Sequence, residues 1–384
     1  MQKAIAVIGM NYGDEGKGHI TNFLSDQNTL NVRFNGGAQA SHGVFLSNGQ
    51  HHIFHHFGSG SLRGARTLLA SHFIINPLIF AREAWELSSK IHLREVFIDP
   101  RCRVTTPFDM ALNEFNAIYH KKNDTCGAGI NETVERSCYR QLKITARDFM
   151  EKSENELRAV LEVIQNEYVP YRVKELGLSS DEFNKFLTAN TGNKEAVIEG
   201  FLKIRSWMVT SPVVIWPDDN LIDRFLVKDK ARKIVFEGAQ GMLLDQNRKE
   251  FMPYLTRSST GVDNVLQLLK TVKTPLDFEV YLVTRAYLTK HGDGPMWNHI
   301  PGRLPFSGVR EETNRENQWQ GKMRYGYLNH EWYIKAIKET EEKISSPAVH
   351  VAMTCVDHIG GNLFIYSRND KMDLLTEKLT IFQE

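Results

Sequence analysis

The hexapeptide Gly13-Asp14-Glu15-Gly16-Lys17-Gly18 decides the fold, because of what stands on either side of it. Before it, residues 3–8 form a short apolar run typical of a buried strand, and after it a helical pattern runs from about Ile20 to Leu24. Glycines between a strand and a helix let backbone N–H groups approach phosphate oxygens, and the helix dipole adds to the attraction. The stretch therefore predicts a phosphate-binding loop, with Lys17 as its point charge.

This loop is P-loop-like but departs from the standard P-loop. Asn11 stands where the first glycine belongs, and Gly18 replaces the Ser or Thr that would bind magnesium. The Asp14 carboxylate can bind the metal instead, because Mg²⁺ prefers oxygen ligands and bridges phosphates. Read alone, the stretch could also be a glycine-rich turn with solvated charges, so other motifs must decide between the two.

Further apolar runs predict parallel strands that are buried on both faces. They are Thr67–Ala70, Ile234–Phe236, Val280–Val283 and Val349–Met353. Helical patterns such as Pro77–Ser88 and Val262–Leu269 lie between them. This alternation predicts an α/β fold with a mainly parallel central sheet covered by helices.

The segment from about 147 to 207 differs from the rest of the chain. It is rich in Glu, Lys and Leu at helical spacing, which predicts a helical insertion outside the sheet. No Gly/Ser linker, repeat or low-complexity tract divides the sequence. We therefore expect one domain over residues 1–384 that carries this insertion.

Charge and cysteine content narrow the class of protein. Lys and Arg total 47 against 46 for Asp and Glu, so no overall field favours nucleic acid or a membrane surface. The apolar run at residues 4–8 is too short to span a bilayer. The four cysteines are widely spaced, which fits neither a zinc site nor a disulfide scaffold and favours the reducing cytoplasm.

Several motifs follow the loop along the chain. They are NGGAQASHG at 35–43, the stretch 51–62, FEGAQG at 236–241 with Leu244-Asp245, TRAYLTKHGDGP at 284–295, YGYL at 325–328 and TCVD at 354–357. Together with GDEGKG, and in this order, they resemble the adenylosuccinate synthetase family from about residue 3 to residue 357. The resemblance implies a magnesium-dependent ligase that joins L-aspartate to C6 of a 6-oxopurine nucleotide. In that family a nucleoside triphosphate first phosphorylates O6, and the aspartate amine then displaces phosphate.

The resemblance assigns roles to individual residues. Asp14 matches the base that takes the N1 proton, and Lys17 and His42 match groups that stabilise the transferring phosphoryl group. Gln240 matches a glutamine that holds the purine ring and O6. The Ser41 carbonyl would be a magnesium ligand beside Asp14.

Other matches concern the nucleotides. Thr125 and Thr256 match hydroxyls near the nucleotide phosphate, and Asp357 matches the carboxylate that binds the base of the donor. The family completes the phosphate pocket with an arginine from the other subunit of a homodimer, and either Arg136 or Arg140 falls in the matching segment. The glycine loop and its surroundings supply the remaining predicted nucleotide contacts, which are Gly13, Glu15, Gly16, Gly18 and Gly43.

The departures from the family cluster around the substrates. Gln39 replaces an Asn, Ser41 a Gly and Ala128 an Arg, while the aspartate loop, matched here by residues 319–327, lacks its double threonine and two arginines. Arg324 and Lys322 are the surviving cations, and Arg324 is the one expected to bind an aspartate carboxylate.

Changes of this kind suggest a different acceptor. The branch most like this chain is the short phage 2-aminoadenylosuccinate synthetases, which use dGMP in place of IMP. Ser41 could accept a bond from the 2-amino group, and loss of the arginine at Ala128 could open space for it. We therefore favour dGMP over IMP, although the retained Asp14 suits IMP equally. GTP, ATP and dATP all remain open as donors.

Two readings from other classes also remain open. A nucleotide-dependent switch would hydrolyse nucleotide without an acceptor, but the chain lacks the Walker Ser/Thr. A catalytically inactive binding protein would bind nucleotide without turnover, against which Asp14, Lys17 and His42 argue. The pairs His51-His52 and His55-His56 have metal-like spacing, but they alternate with apolar residues in a predicted strand, so a metal site there is disfavoured.

Overall fold

The computed structural model describes residues 2–121, 125–191, 193–216, 221–227, 233–309, 321–344 and 348–359, and two short strands beyond them. The strands are β1 Gln2–Gly9, β2 Thr29–Arg33, β3 His42–Phe45, β4 His51–Phe54, β5 Arg66–Leu69, β6 Ile74–Ile75, β7 Val96–Ile98, β8 Arg103–Val104, β9 Val214–Ile215, β10 Lys233–Gly241, β11 Leu276–Arg285, β12 Leu288–Lys290, β13 Arg324–Gly326, β14 Leu328–Asn329, β15 Val349–Thr354, β16 Phe364–Tyr366 and β17 Met372–Leu374. The helices are α1 Lys17–Leu24, α2 Pro77–Ser88, α3 Pro107–His120, α4 Ile130–Arg136, α5 Ala146–Glu151, α6 Glu154–Val163, α7 Val169–Glu175, α8 Ser180–Thr191, α9 Lys194–Thr210, α10 Leu221–Val227, α11 Asp263–Leu269 and α12 His330–Ile344.

The centre of the fold is an eight-stranded sheet in the order β15-β11-β1-β10-β2-β5-β7-β9. Its neighbouring strands are all parallel. All four later strands predicted from sequence lie in this sheet, so the predicted α/β fold with a mainly parallel sheet is confirmed.

The first strand, β1, is central for a simple physical reason. Residues 4–8 are at most 4% exposed, because the strand is covered on both faces and has neighbours on both edges. Its carboxyl end lies between the ends of β10 and β11, so the loops that follow these three strands meet at one edge of the sheet. In open parallel sheets this edge is where ligands bind.

Helix starts follow local sequence signals. The side chain of Asn76 accepts a hydrogen bond from the backbone N–H of Ile79, and Pro77 occupies the first turn of α2, which begins and ends where the sequence predicts. Helix α11 begins at Asp263, one residue after its predicted start.

Residues 146–210 form helices α5 to α9 and a short π-helical turn at Ile164–Tyr168, in the segment where the sequence predicts a helical insertion. Thr145 and Ser153 begin α5 and α6 with reciprocal capping boxes. The insertion packs on α2 and α3 through a core that includes Phe80, Phe108 and Phe201. Within the described part of the chain, no helix is long and apolar enough to cross a membrane.

Candidate active site

The glycine loop curls back between β1 and α1 through left-handed backbone. The φ angles are 99° at Gly13, 59° at Asp14 and 86° at Gly16, and the glycines allow this without steric cost. A Cβ placed at Gly13 would lie 3.6 Å from the Cα of Gln240, and one placed at Gly18 would lie 3.0 Å from the Cβ of His42. The loop therefore brings together the residues that the sequence predicts as catalytic.

Glu15 supports this loop from within. Its Oε1 accepts hydrogen bonds from the backbone N–H groups of Asn11 (3.0 Å) and Gly13 (2.8 Å), and its Oε2 pairs with Lys17 Nζ at 2.7 Å. The side chains of Glu15 and Lys17 are each 2% exposed. The carboxylate thus fixes the loop conformation and balances the lysine charge, which are roles that the sequence did not reveal.

Asp14 is held by its backbone, and its carboxylate remains accessible. Its carbonyl accepts a hydrogen bond from Arg285 Nε at 2.5 Å, at the end of β11. Thr354, which ends β15, donates to the neighbouring carbonyl of Glu15 at 2.7 Å. The Asp14 carboxylate is 32% exposed and lies 3.7 Å from His291 Nε2. It is therefore positioned as a base or a metal ligand.

His42 begins β3 and faces a carboxylate on β10. Its Nδ1 lies 2.6 Å from Glu237 Oε1, and Glu237 also accepts hydrogen bonds from the backbone N–H of Ser59 at 2.9 Å and from the Ser59 hydroxyl. Glu237 is fully buried, and Arg33 pairs with it in register on the neighbouring strand. The carboxylate can only accept, so it fixes the imidazole with its proton on Nδ1 and leaves Nε2 as the second ring nitrogen available to a ligand.

Burial and charge set the protonation of this pair. Burial lowers the pKa of His42 to about 4, against the opposing effect of Glu237. Burial acts to raise the pKa of Glu237, but Arg33 and His42 outweigh it and hold that pKa at about 2. His42 is therefore neutral in the ligand-free site at pH 7. The negative charge of a bound phosphate would raise its pKa.

Two glutamine side chains meet beside the loop. Gln39 Nε2 donates to Gln240 Oε1 at 3.3 Å, and Gln240 adopts a left-handed φ of 56° near the end of β10. Gln39 Oε1 is buried and has no hydrogen-bond partner among the described residues. An unpaired buried acceptor is costly, so this oxygen is available to a ligand donor.

The remaining predicted contacts are more dispersed. Thr125 donates its hydroxyl to Asn113 Oδ1 at 2.6 Å, and the Thr256 backbone N–H bonds the Leu244 carbonyl at 2.9 Å. Asp357 is 82% exposed at its side chain. Ser41 is exposed and Gly43 is half-buried.

Ala128 lies where the sequence suggested an opening for a larger base. The structure corrects this idea, because Ala128 is 3% exposed and packs in an apolar cluster with Ala38, Ile74 and Ile130. Apolar side chains occupy the surroundings, so loss of an arginine at this position does not by itself enlarge the pocket.

Arg136 and Arg140 differ sharply in position. Arg136 is fully buried, forms an ion pair with Asp109 at 2.8 Å and donates to the carbonyls of Leu142 and Val104. If Arg136 left this network, the Asp109 carboxylate would be buried without a partner. The structure therefore argues against Arg136 as an arginine that reaches another subunit. Arg140 is exposed and is the remaining candidate.

The predicted aspartate loop is described only from Gly321 onward. Arg324 begins β13 and donates to the carbonyls of Gly294 (2.9 Å) and Gly292 (2.5 Å), whereas Lys322 is exposed. Trp319 and Gln320 lie outside the described residues, as does Asp124 in the segment before Thr125.

Among the described residues, no group of three or more His, Cys, Asp and Glu side chains could hold a metal ion. Of the clustered histidines, His56 is buried and bonded to Glu83 at 3.3 Å. A magnesium site made of Asp14, the Ser41 carbonyl and phosphate oxygens needs no such group, since Mg²⁺ commonly binds through one or two carboxylates plus phosphates. The accessible Asp14 carboxylate fits this donor set.

Comparison with known proteins gives a consistent family. The model of the adenylosuccinate synthetase family matches residues 6–330. An adenylosuccinate synthetase of Thermoplasma acidophilum is 30% identical over 311 residues, which cover 79% of this chain and 65% of that protein. The corresponding protein of Thermoplasma volcanium is 30% identical over 370 residues, covering 93% of this chain and 76% of that one. The chain thus spans about two thirds to three quarters of these relatives.

Two solved structures share the fold. The fully ligated adenylosuccinate synthetase of Plasmodium falciparum has a TM-score of 0.68 at 18% identity, over 94% of this chain and 79% of that one. The succinoaminodeoxyadenylate synthetase of cyanophage S-2L, bound to dGMP and to dATP as an energy donor, has a TM-score of 0.58 at 14% identity, over 91% of this chain and 84% of that one.

Proposed function

The chain belongs to the adenylosuccinate synthetase family of carbon–nitrogen ligases, and from this premise we propose that it joins L-aspartate to C6 of a 6-oxopurine nucleotide at the expense of a nucleoside triphosphate. The observation that carries the proposal is the meeting of three residues at one loop. Asp14 lies in it, Gln240 packs against Gly13, and His42 packs against Gly18. A base, a purine-binding amide and a phosphoryl-stabilising imidazole are the groups that this chemistry requires.

In the first step, O6 of the purine must become a nucleophile. Asp14 takes the N1 proton, which shifts electron density onto O6, and the Gln240 amide holds the ring. The O6 oxygen then attacks the γ-phosphorus, and the nucleoside diphosphate leaves. The accessible Asp14 carboxylate supports this role, since it is 32% exposed and lies 3.7 Å from His291 Nε2.

Negative charge spreads over the equatorial oxygens during phosphoryl transfer. Lys17, the loop N–H groups and His42 stabilise this charge, the last after gaining a proton at Nε2 as the phosphates raise its pKa. Mg²⁺, held by Asp14 and the Ser41 carbonyl, would neutralise phosphate charge when bound. In the second step the aspartate amine attacks C6, the C6–O bond breaks, and inorganic phosphate leaves with help from His42.

For the acceptor, dGMP is favoured over IMP. Gln39, a departure from the family, places the buried and unpartnered Oε1 next to Gln240, and the 2-amino group of guanine is a donor that could satisfy it. Ser41 is exposed, so Gln39 takes over the role that the sequence suggested for Ser41. The cyanophage protein of the same fold is bound to dGMP and dATP, which supports testing this acceptor and ATP-type donors first.

An acceptor-by-donor matrix tests the proposal. IMP, GMP and dGMP are each combined with GTP, ATP and dATP in the presence of L-aspartate and Mg²⁺, and succinylated product is measured. We expect dGMP to exceed IMP in kcat/KM by at least about tenfold, roughly the cost of one unsatisfied buried acceptor. A better rate with IMP would identify an enzyme of ordinary adenylate synthesis. Nucleotide hydrolysis without any acceptor would favour a nucleotide-dependent switch over a ligase.

We also propose a homodimer in which Arg140 of each subunit completes the phosphate pocket of the other. Its exposure, beside the buried Arg136, supports this choice. Mixing inactive Asp14→Asn subunits with inactive Arg140→Ala subunits should restore part of the activity, because one of the two sites in a mixed dimer has both residues intact. If confirmed mixed dimers remain inactive, the sites are not shared.

A further inference from the structure

A pair of cations lies directly opposite each other beside the phosphate loop. Strands β12 and β13 are antiparallel, and their register places Lys290 across from Arg324. Lys290 is 5% exposed. Like charges opposite each other in a sheet are destabilising, and burial makes the repulsion stronger. Such an arrangement requires negative charge from another source.

The protein itself supplies little of that charge. Lys290 Nζ donates to the carbonyls of His291 (3.2 Å) and Asp293, and Arg324 donates to the carbonyls of Gly292 and Gly294. Within the described ranges, no carboxylate oxygen lies within 4.0 Å of either cation, although the exposed carboxylate of Asp293 favours their charged forms from farther away.

Two further observations indicate that this position suits an anion. Burial, followed by the charge of Arg324, lowers the pKa of Lys290 to about 8. Arg324 Nε and His291 Nδ1 are buried and have no hydrogen-bond partner in the described part of the chain. Buried donors and cations are normally paired, so these atoms mark a place that a ligand completes.

The position of the pair relates it to the reaction. His291 Nε2 lies 3.7 Å from the Asp14 carboxylate, and Lys290 Nζ lies 6.0 Å from the ring centre of Tyr12, just before the glycine loop. Asp14 is the proposed base at N1 of the purine, and C6 is the next ring atom. An amine donor held by Lys290 and Arg324 would therefore lie near the purine atom that its amine attacks.

We propose that Lys290 binds a carboxylate of the amine donor together with Arg324, so that two cations from facing strands hold the two carboxylates of a dicarboxylic amino acid. The inference rests on the proposed ligase function. It explains which cations remain to recognise a dicarboxylate after the loss of two arginines from the family's aspartate loop: Arg324 and, on the neighbouring strand, Lys290. The exposed Lys322 has no such position.

The test is a KM-against-kcat comparison of Lys290→Met, Lys290→Arg and wild type. Lys335→Met is the matched control, because Lys335 is 58% exposed on α12 and lies 3.7 Å from Glu339 across the helix surface. We expect Lys290→Met to raise the KM for L-aspartate at least about tenfold, the loss of one charge-assisted hydrogen bond, with the KM of both nucleotides changed by less than about threefold. Lys290→Arg should recover part of the aspartate affinity, and Lys335→Met should match wild type.

Equilibrium dialysis with labelled L-aspartate separates this inference from the proposed function. If wild type turns over and Lys290→Met keeps its KM for aspartate, the inference is overturned while the ligase function stands. If wild type forms no product with any acceptor, the ligase proposal fails. Aspartate binding by wild type that is weakened in Lys290→Met would then still support the carboxylate site, and equal binding by both would overturn it. Should Lys290→Met not fold, Lys290→Gln serves in the same comparison.

Discussion

The two sides of the site differ in how their functional side chains are held. On the phosphate side, Glu15 bonds Lys17 at 2.7 Å, and Glu237 bonds His42 at 2.6 Å. On the substrate side, Gln39, His291 and Arg324 each have a buried atom without a described partner. In the sequence, Gln39 and the loop around Arg324 depart from the family, whereas His291 lies in the matching motif at 284–295.

This difference matches the two tasks of the site, which are stabilisation of the transition state and recognition of the substrates. Groups that stabilise charge in the transition state gain from being fixed beforehand, because they then need no reorganisation during the reaction. Groups that recognise a substrate leave an atom unpaired until the correct partner arrives, and an incorrect substrate leaves it unpaired at a cost. On the phosphate side, Asp14, His42 and Glu237 can each be substituted to test this division.

Asp14→Asn should have the largest effect. An amide cannot take the N1 proton and is a poorer magnesium ligand, so kcat should fall by about 10³–10⁴, the upper range for general base catalysis. Nucleotide binding, measured by fluorescence titration, should remain nearly normal because Glu15 and the glycines shape the loop. A variant with near-normal kcat would exclude Asp14 as the base and would contradict the assignment of catalysis to the phosphate side.

His42→Ala should cost less, about 10²–10³ in kcat, the scale for losing one transition-state donor. The KM values should change little, because the imidazole acts mainly when charge develops on the transferring group. Steady-state kinetics with saturating aspartate measure this effect. A change limited to KM would place His42 on the recognition side instead.

Much of the fold could be predicted from the sequence because parallel strands buried on both faces are uniform runs of apolar residues. Val280–Val283 is such a run, and it lies in β11, between β15 and β1. The glycine loop could also be predicted, since its backbone conformation depends on residue types that are adjacent in the chain. In both cases, residues that are neighbours in the sequence determine the local structure.

The long-range pairs could not be predicted in this way. Glu237 lies 195 positions from His42, and no local pattern connects them. The available signal was a glutamate that directly follows the apolar residues Ile234–Phe236 in strand β10, since a buried carboxylate requires a partner. Arg136 and Arg140 look alike in the sequence, yet one is wholly buried and the other is exposed, because only the folded chain brings Asp109 to Arg136.

Glu237→Gln gives the smallest and most specific effect. The Glu237 carboxylate raises the pKa of His42 against burial, so its removal should lower that pKa further and disfavour the imidazolium form needed during transfer. Activity that requires protonated His42 is lost as pH rises through its pKa in the complex. The alkaline limb of the kcat profile should therefore move to lower pH by about one unit or more, with kcat at pH 7.5 reduced about 10–100-fold.

Glu83→Gln is the matched control for this measurement, because it makes the same change in another buried His–carboxylate pair. Glu83 bonds His56 at 3.3 Å and accepts backbone N–H groups from residues 55–57, beneath the β4 hairpin. Its loss should lower the thermal stability and leave the pH limb in place. Glu237→Gln could instead lower kcat equally at all pH values, as a merely destabilised variant would. That result would show that Glu237 has only a structural role. If the alkaline limb of the kcat profile shifts and activity recovers at lower pH, the Glu237 charge must act through the pKa of His42.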